Sequence, residues 1–114
     1  MGGDSTYTTL PSLWWANEDD TLWAFPFSNQ THAGSNGGLK VLWVRTDGGT
    51  FSGSKLTIQG IGLDGPSTSM TADIPCCYDS NYQASGLYFP NAGCWMVTGE
   101  VDNLRLSFTI YVNP

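Results

Sequence analysis

Few residues in this chain are able to carry chemistry. It has one histidine, His32, and three cysteines, Cys76, Cys77 and Cys94. Catalysis by a Ser/His/Asp or Cys/His arrangement would have to pass through His32, with Asp19 or Asp20 as its carboxylate partner. His32 sits in a Gly- and Asn-rich stretch, and the chain contains no Gly-x-Ser-x-Gly elbow. That context favours a solvated loop histidine. Glu18-Asp19-Asp20 offers a carboxylate pair or a calcium site. Its spacing is not that of an EF-hand loop, and adjacent acids in a turn are ordinarily just solvated. The residues therefore predict a protein without a catalytic site.

Thiolate and thioether sulfurs suit Cu(I). Met70, Cys76 and Cys77 fall within one strand and its loop, while Cys94 and Met96 alternate with Trp95 and Val97. A copper-handling domain is the sharp reading of this set. The plain reading is that Met fills gaps in a core and buried Cys is inert. With one histidine and no paired cysteine spacing, zinc is not indicated. The expectation is no metal and no cofactor. Three cysteines in an oxidising compartment predict one bridge and one free thiol. The expected bridge joins Cys94 to Cys76 or Cys77, with a vicinal Cys76–Cys77 bond or three free thiols as the alternatives.

The aromatic residues provide a different chemistry. Trp14, Trp15 and Trp23, with Tyr78 and Tyr82 further on, have the side chains that stack sugar rings. The competing use of Trp23, together with Trp43 and Trp95, is to fill a core. Trp14 and Trp15 are adjacent, so one extended strand cannot point both inward. One of them must meet solvent or cover an edge. The acidic turn follows directly, so Trp14, Trp15, Asn17, Asp19 and Asp20 form the candidate ligand-binding set. A carbohydrate would lie on the exposed ring and donate hydroxyl hydrogens to the acids. A protein partner would bury the same ring as an anchor.

Composition narrows the class further. The net charge is −6, and only Lys40, Arg45, Lys55 and Arg105 are basic. Nucleic acid or an anionic membrane surface would require a basic footprint. No apolar run reaches the length of a membrane helix, so no transmembrane segment is expected. Charged residues make up 12% and aromatic residues 13%, with 14 glycines. This balance fits an extracytoplasmic all-β domain better than a disordered chain. The first residues, Met1-Gly2-Gly3-Asp4-Ser5-Thr6, show neither a basic nor an apolar leader region. A mature chain whose leader has been removed and a natural start are both open readings. Asn29-Gln30-Thr31 has the form of a glycosylation sequon, relevant only in a eukaryotic secretory host.

The elements follow from period-two patterning. Trp95, Val97, Gly99 and Val101 share one face, and Leu104, Leu106, Phe108, Ile110 and Val112 share another, with Asp102-Asn103 between them. Two alternating runs joined by a tight turn predict a hairpin over 94–101 and 104–112 at the centre of a sandwich. Residues 21–25 read as a strand stopped at Pro26. Residues 39–45 are apolar on both faces and read as a central strand. Residues 55–63 alternate imperfectly, with a bulge or bend expected at Gly60 and Gly62. Thr68, Met70, Ala72 and Ile74 share a face, and 83–89 is a further strand. The whole reads as one domain, 1–114, with 1–12 as a loose N-terminal arm or edge segment. The predicted fold is an immunoglobulin-like antiparallel β-sandwich of seven or eight strands.

Phe89-Pro90-Asn91-Ala92-Gly93-Cys94-Trp95-Met96-Val97-Thr98-Gly99 carries a resemblance. Its pattern, F-P-x-x-G-C-W-x-V-T-G, resembles that of small secreted bacterial immunoglobulin-like domains of uncharacterised function. The strand at 39–45 and the stretch Ser85-Gly86-Leu87-Tyr88-Phe89 are similar to the same group. Together they place the likeness over about residues 20–112. The resemblance implies a secreted protein or lipoprotein and supplies no catalytic residue.

Overall fold

The structure is a computed structural model that describes residues 5–7, 14–28, 31–34, 38–53, 55–64 and 69–114. Its strands are β1 (Ser5–Tyr7), β2 (Trp15–Ala16), β3 (Leu22–Pro26), β4 (Leu39–Arg45), β5 (Thr57–Gly62), β6 (Thr71–Asp73), β7 (Tyr82–Tyr88), β8 (Gly93–Val101) and β9 (Leu104–Val112). They form a four-stranded sheet in the order β1-β9-β8-β5 and a five-stranded sheet in the order β2-β3-β4-β7-β6. The two sheets pack as an immunoglobulin-like β-sandwich. Among the described strands the pairings are antiparallel except that of β1, which lies parallel to β9 at the sheet edge. Apart from the two-residue β2, eight strands remain.

The β8–β9 hairpin forms as its alternation requires. Its register runs unbroken from Gly93 opposite Val112 to Val101 opposite Leu104. One face of each strand points between the sheets, where Trp95, Val97, Val101, Leu106, Phe108, Ile110 and Val112 are buried. From the other sheet come Trp15, Leu22, Ala24, Leu39, Val41, Trp43 and Leu87. Trp15 stacks on Phe108 with ring centroids 4.0 Å apart and planes 3° from parallel. The Trp43 ring reaches across to Gly99, where an added Cβ would lie 2.5 Å from two of its ring atoms. Gly99 therefore keeps the alternating register while leaving room for a tryptophan from the opposite sheet. The Trp43 indole N–H donates to Ser85 Oγ at 2.9 Å, and that hydroxyl donates to the Val41 carbonyl at 2.9 Å. A buried polar group is thus satisfied on both sides.

Two expectations change. No bulge occurs at Gly60 or Gly62, because β5 pairs with β8 continuously from Thr57 opposite Glu100 to Gly62 opposite Trp95. Gly60 instead accommodates Met70, whose side chain would meet any Cβ placed there. The expected bridge from Cys94 is absent. Cys76 and Cys77 lie in close contact with each other, and Cys94 is a free thiol. The reason lies in the layers: Cys94 is on the outer face of the four-stranded sheet opposite Tyr111, while the cysteine pair is in the loop between β6 and β7 of the other sheet. Within the N-terminal arm, Ser5–Tyr7 takes the edge-segment alternative beside β9. Asn29 of the sequon, Thr68 and the remainder of the 1–12 segment lie outside the described residues. Among the described residues no helix is long and apolar enough to cross a membrane.

Candidate ligand-binding face

The predicted site residues separate in the structure. Trp15 points inward and is 1% exposed. Trp14 points the other way and leans against Trp23, with centroids 4.8 Å apart at 51°. Asn17 is buried and its amide is engaged in the turn. Its Oδ1 accepts from the backbone N–H groups of Thr21 and Leu22, and its Nδ2 donates to Thr21 Oγ1. Asn17 therefore builds the β2–β3 turn. Glu18, Asp19 and Asp20 are exposed on that turn. Asp20 has a positive φ of 58°. Its carbonyl accepts from the Trp23 indole N–H at 2.8 Å and from Thr46 Oγ1 at 2.6 Å. The turn thus fixes the ring of Trp23 on the outer surface.

His32 does not join these acids. It bridges to Asn113, just past the C-terminal end of β9. The acidic turn lies at the opposite end, where Leu22 pairs with Arg45 and Arg45 reaches Asp102 in the β8–β9 turn. The soft ligands are also dispersed. Met70 is buried between the sheets, Cys94 and Met96 lie on the outside of β8, and Cys76 and Cys77 are exposed beyond β6. Burial, and then the neighbouring Asp64 carboxylate, push the Cys94 thiol above its ordinary value. Among the described residues no three His, Cys, Asp or Glu side chains are grouped to hold a metal ion.

What the structure does assemble is a surface. Along β3 and its extension, Trp23, Phe25 and Phe27 alternate onto the outer face of the five-stranded sheet. Trp23 and Phe25 are nearly parallel, 6.3 Å apart at 11°, and Phe27 is 61% exposed. Register adds their neighbours. Trp23 lies beside Val44, which lies beside Tyr82. Phe25 lies beside Leu42, which lies beside Ala84. Tyr78 meets Tyr82 edge-on at 5.7 Å. The loop bearing Tyr78 is held by buried Gln83, whose amide donates to the Pro75 carbonyl and accepts from the Tyr78 N–H.

The other outer face is mixed. Thr57, Gln59, Thr98 and Thr109 face outward there with the Glu100–Arg105 ion pair, beside Ile61 and Tyr111, which are 52% and 46% exposed. An antiparallel sheet with one solvated side normally carries polar residues on it. The five-stranded sheet turns Lys40, Thr71 and Asp73 outward as well, but its rings gather in one row.

No family model, curated protein or solved structure matches the chain.

The aromatic row was only partly anticipated from sequence. Sequence alone marks Trp14, Trp15, Trp23, Tyr78 and Tyr82 as ring platforms and leaves out Phe25, Phe27, Leu42 and Val44. The available signal was the period-two recurrence of Trp23, Phe25 and Phe27 across Pro26. Ending the strand at that proline concealed it.

Proposed function

We propose that the chain is a non-catalytic binding module of a secreted or surface bacterial protein, and that it binds through the outer face of the five-stranded sheet. The observation that carries this reading is the aromatic row Trp23, Phe25 and Phe27, flanked by Trp14 and Tyr82, where polar residues would be expected. A contiguous apolar patch of this kind costs solubility and is usually retained for contact. The likeness of the 89–99 motif to small secreted bacterial domains supports placement outside the cytoplasm, as a secreted protein or lipoprotein. The copper reading lacks comparable support, because its ligands are spread over separate places in the fold. The catalytic reading lacks it too, because His32 and the acids occupy opposite ends.

The test is retention on envelope material of the producing organism. The wild-type chain is expected to be retained, and a variant carrying Phe25→Ser, Phe27→Ser and Tyr82→Ser is expected to wash off while keeping its β-sheet spectrum. Equal retention of the two would refute the assignment of this face.

A further inference from the structure

We propose that Cys76 and Cys77 are a redox pair that passes between two thiols and a vicinal disulfide in the folded protein, by exchange with an external dithiol. The proposal does not depend on the aromatic face. Its first support is accessibility. The two residues are in close contact and both are exposed, in the loop between β6 and β7. The third cysteine differs in kind. Cys94 is half-buried, and burial and then Asp64 hold its thiol above the ordinary range. The chain therefore keeps one sulfur quiet and presents two others together to solvent. Exposed disulfides are the ones that external thiols reach and exchange.

The second support is that a bond between these residues would cross-link nothing else. A disulfide stabilises a fold mainly by closing a loop of the unfolded chain, and the effect grows with the loop. Cys76 and Cys77 are adjacent, so their bond closes no such loop. It also leaves the two sheets unlinked, because both sulfurs belong to one connection of the five-stranded sheet. Making or breaking it changes the chemistry of the loop and not the stability of the sandwich.

The third support is how the loop is held. Gln83, in β7, is 1% exposed. Its Nε2 donates to the Pro75 carbonyl at 2.8 Å, and its Oε1 accepts from the Tyr78 N–H at 2.9 Å. These two bonds grip the backbone directly before and directly after the cysteine pair. An amide from within the sandwich thus fixes residues 75 and 78 whatever the state of the sulfurs between them. A short solvent-facing segment pinned at both ends can gain or lose an S–S bond while β6 and β7 stay paired. In the reducing direction, one thiolate of the dithiol attacks one sulfur of the pair, and the other sulfur leaves and takes a proton. The dithiol's second sulfur then displaces the first. The protein gains two electrons and two protons, and the dithiol becomes a cyclic disulfide.

The experiment uses the full chain from an oxidising host, kept folded at neutral pH and treated with dithiothreitol. Alkylation read by intact mass and peptide mapping should find two new thiols, at Cys76 and Cys77, while the β-sheet spectrum and the urea midpoint stay as they were. Phenylarsine oxide condenses with two neighbouring thiols and releases one water. It should add once to the reduced chain, and not to the oxidised chain or to a Cys76→Ser variant. Oxidised glutathione should close the pair again. Gln83→Ala should lower the urea midpoint by more than reduction does, because the amide holds the loop and the sulfurs do not. Thiols at Cys76 and Cys77 that appear only once urea has unfolded the chain would overturn the proposal. A midpoint that falls on reduction as far as in Gln83→Ala would make the pair a structural cross-link and overturn it as well. Thiols at both positions that stay free in oxidised glutathione would leave no redox couple to propose.

Discussion

Arg45 Nη1 lies 2.8 Å from Asp102 Oδ2, joining the end of β4 in one sheet to the β8–β9 turn of the other. The same guanidinium pairs with Asp47 at 2.8 Å through Nη2 and at 3.1 Å through Nε. It also donates to the Thr50 carbonyl and lies 5.9 Å from the Phe51 ring centre. With a side chain 5% exposed, Arg45 is a buried charge that is matched almost everywhere it points. The hydrogen bond to Asp47, together with the Asp102 contact, raises its pKa further. Arg45→Met removes hydrogen bonds to two carboxylates and a carbonyl, but Asp47 and Asp102 are 28% and 49% exposed and turn to water. The change should therefore cost about 1–3 kcal/mol, read as a lower urea midpoint with an unchanged slope. A loss within experimental error would mean that water already screens the cluster.

The same cluster predicts an acid response. The hydrogen bond from Arg45, then that from the Gly49 N–H, lowers Asp47 from an ordinary 3.8 to about 2. A carboxylate with a depressed folded pKa adds stability above its unfolded value and loses it as pH falls toward the folded one. Stability should thus fall between about pH 4 and pH 2. Asp47→Asn should be less stable at neutral pH and flatter across that window. Parallel stability curves for the two proteins would remove Asp47 as the cause.

Gly99 and Trp43 make a steric prediction. Gly99→Ala places a methyl group 2.5 Å from the Trp43 ring, so the mutant should lose about 1–3 kcal/mol, as overpacked cores do. In a Trp43→Leu background the same substitution should be close to neutral, giving a measurable coupling energy. Strict additivity of the two substitutions would contradict the contact.

Phe108 and Trp95 test the core itself. Phe108 is fully buried under Trp15, and Trp95 is 1% exposed with its indole N–H donating to the Asn91 carbonyl. Each residue changed to alanine should cost about 3–5 kcal/mol. Thermal or denaturant unfolding that moved by less than a third of that range would place these rings outside the core.

Thiol chemistry gives the last prediction. In protein from an oxidising host, one free thiol should titrate after denaturation, and it should map to Cys94. In the folded protein its alkylation should be slow at neutral pH, because burial and Asp64 hold the thiol above its usual range. Asp64→Asn should speed the reaction. A peptide map linking Cys94 to Cys76 or Cys77 would reinstate the bridge expected from sequence.

The division between sequence and tertiary structure follows the range of the forces involved. Alternation is local, so the β8–β9 hairpin, the central β4 and the all-β class were legible from the chain alone. So was the rule that Trp14 and Trp15 must face opposite ways, because it is a property of one extended backbone. Which of the two is buried was not local: Trp15 is inside because Phe108, far along the chain, offers it a ring. The role of Asn17 was hidden for a similar reason, since an exposed amide and one closing a turn look identical in sequence. The cysteine pairing depended on which sheet each residue joined, and Arg45 looked like an ordinary strand-end charge until the hairpin turn brought Asp102 to it. The aromatic face arose the same way. Phe25, Leu42 and Ala84 become one surface only through strand register, and register is decided by long-range pairing between strands rather than within any one of them.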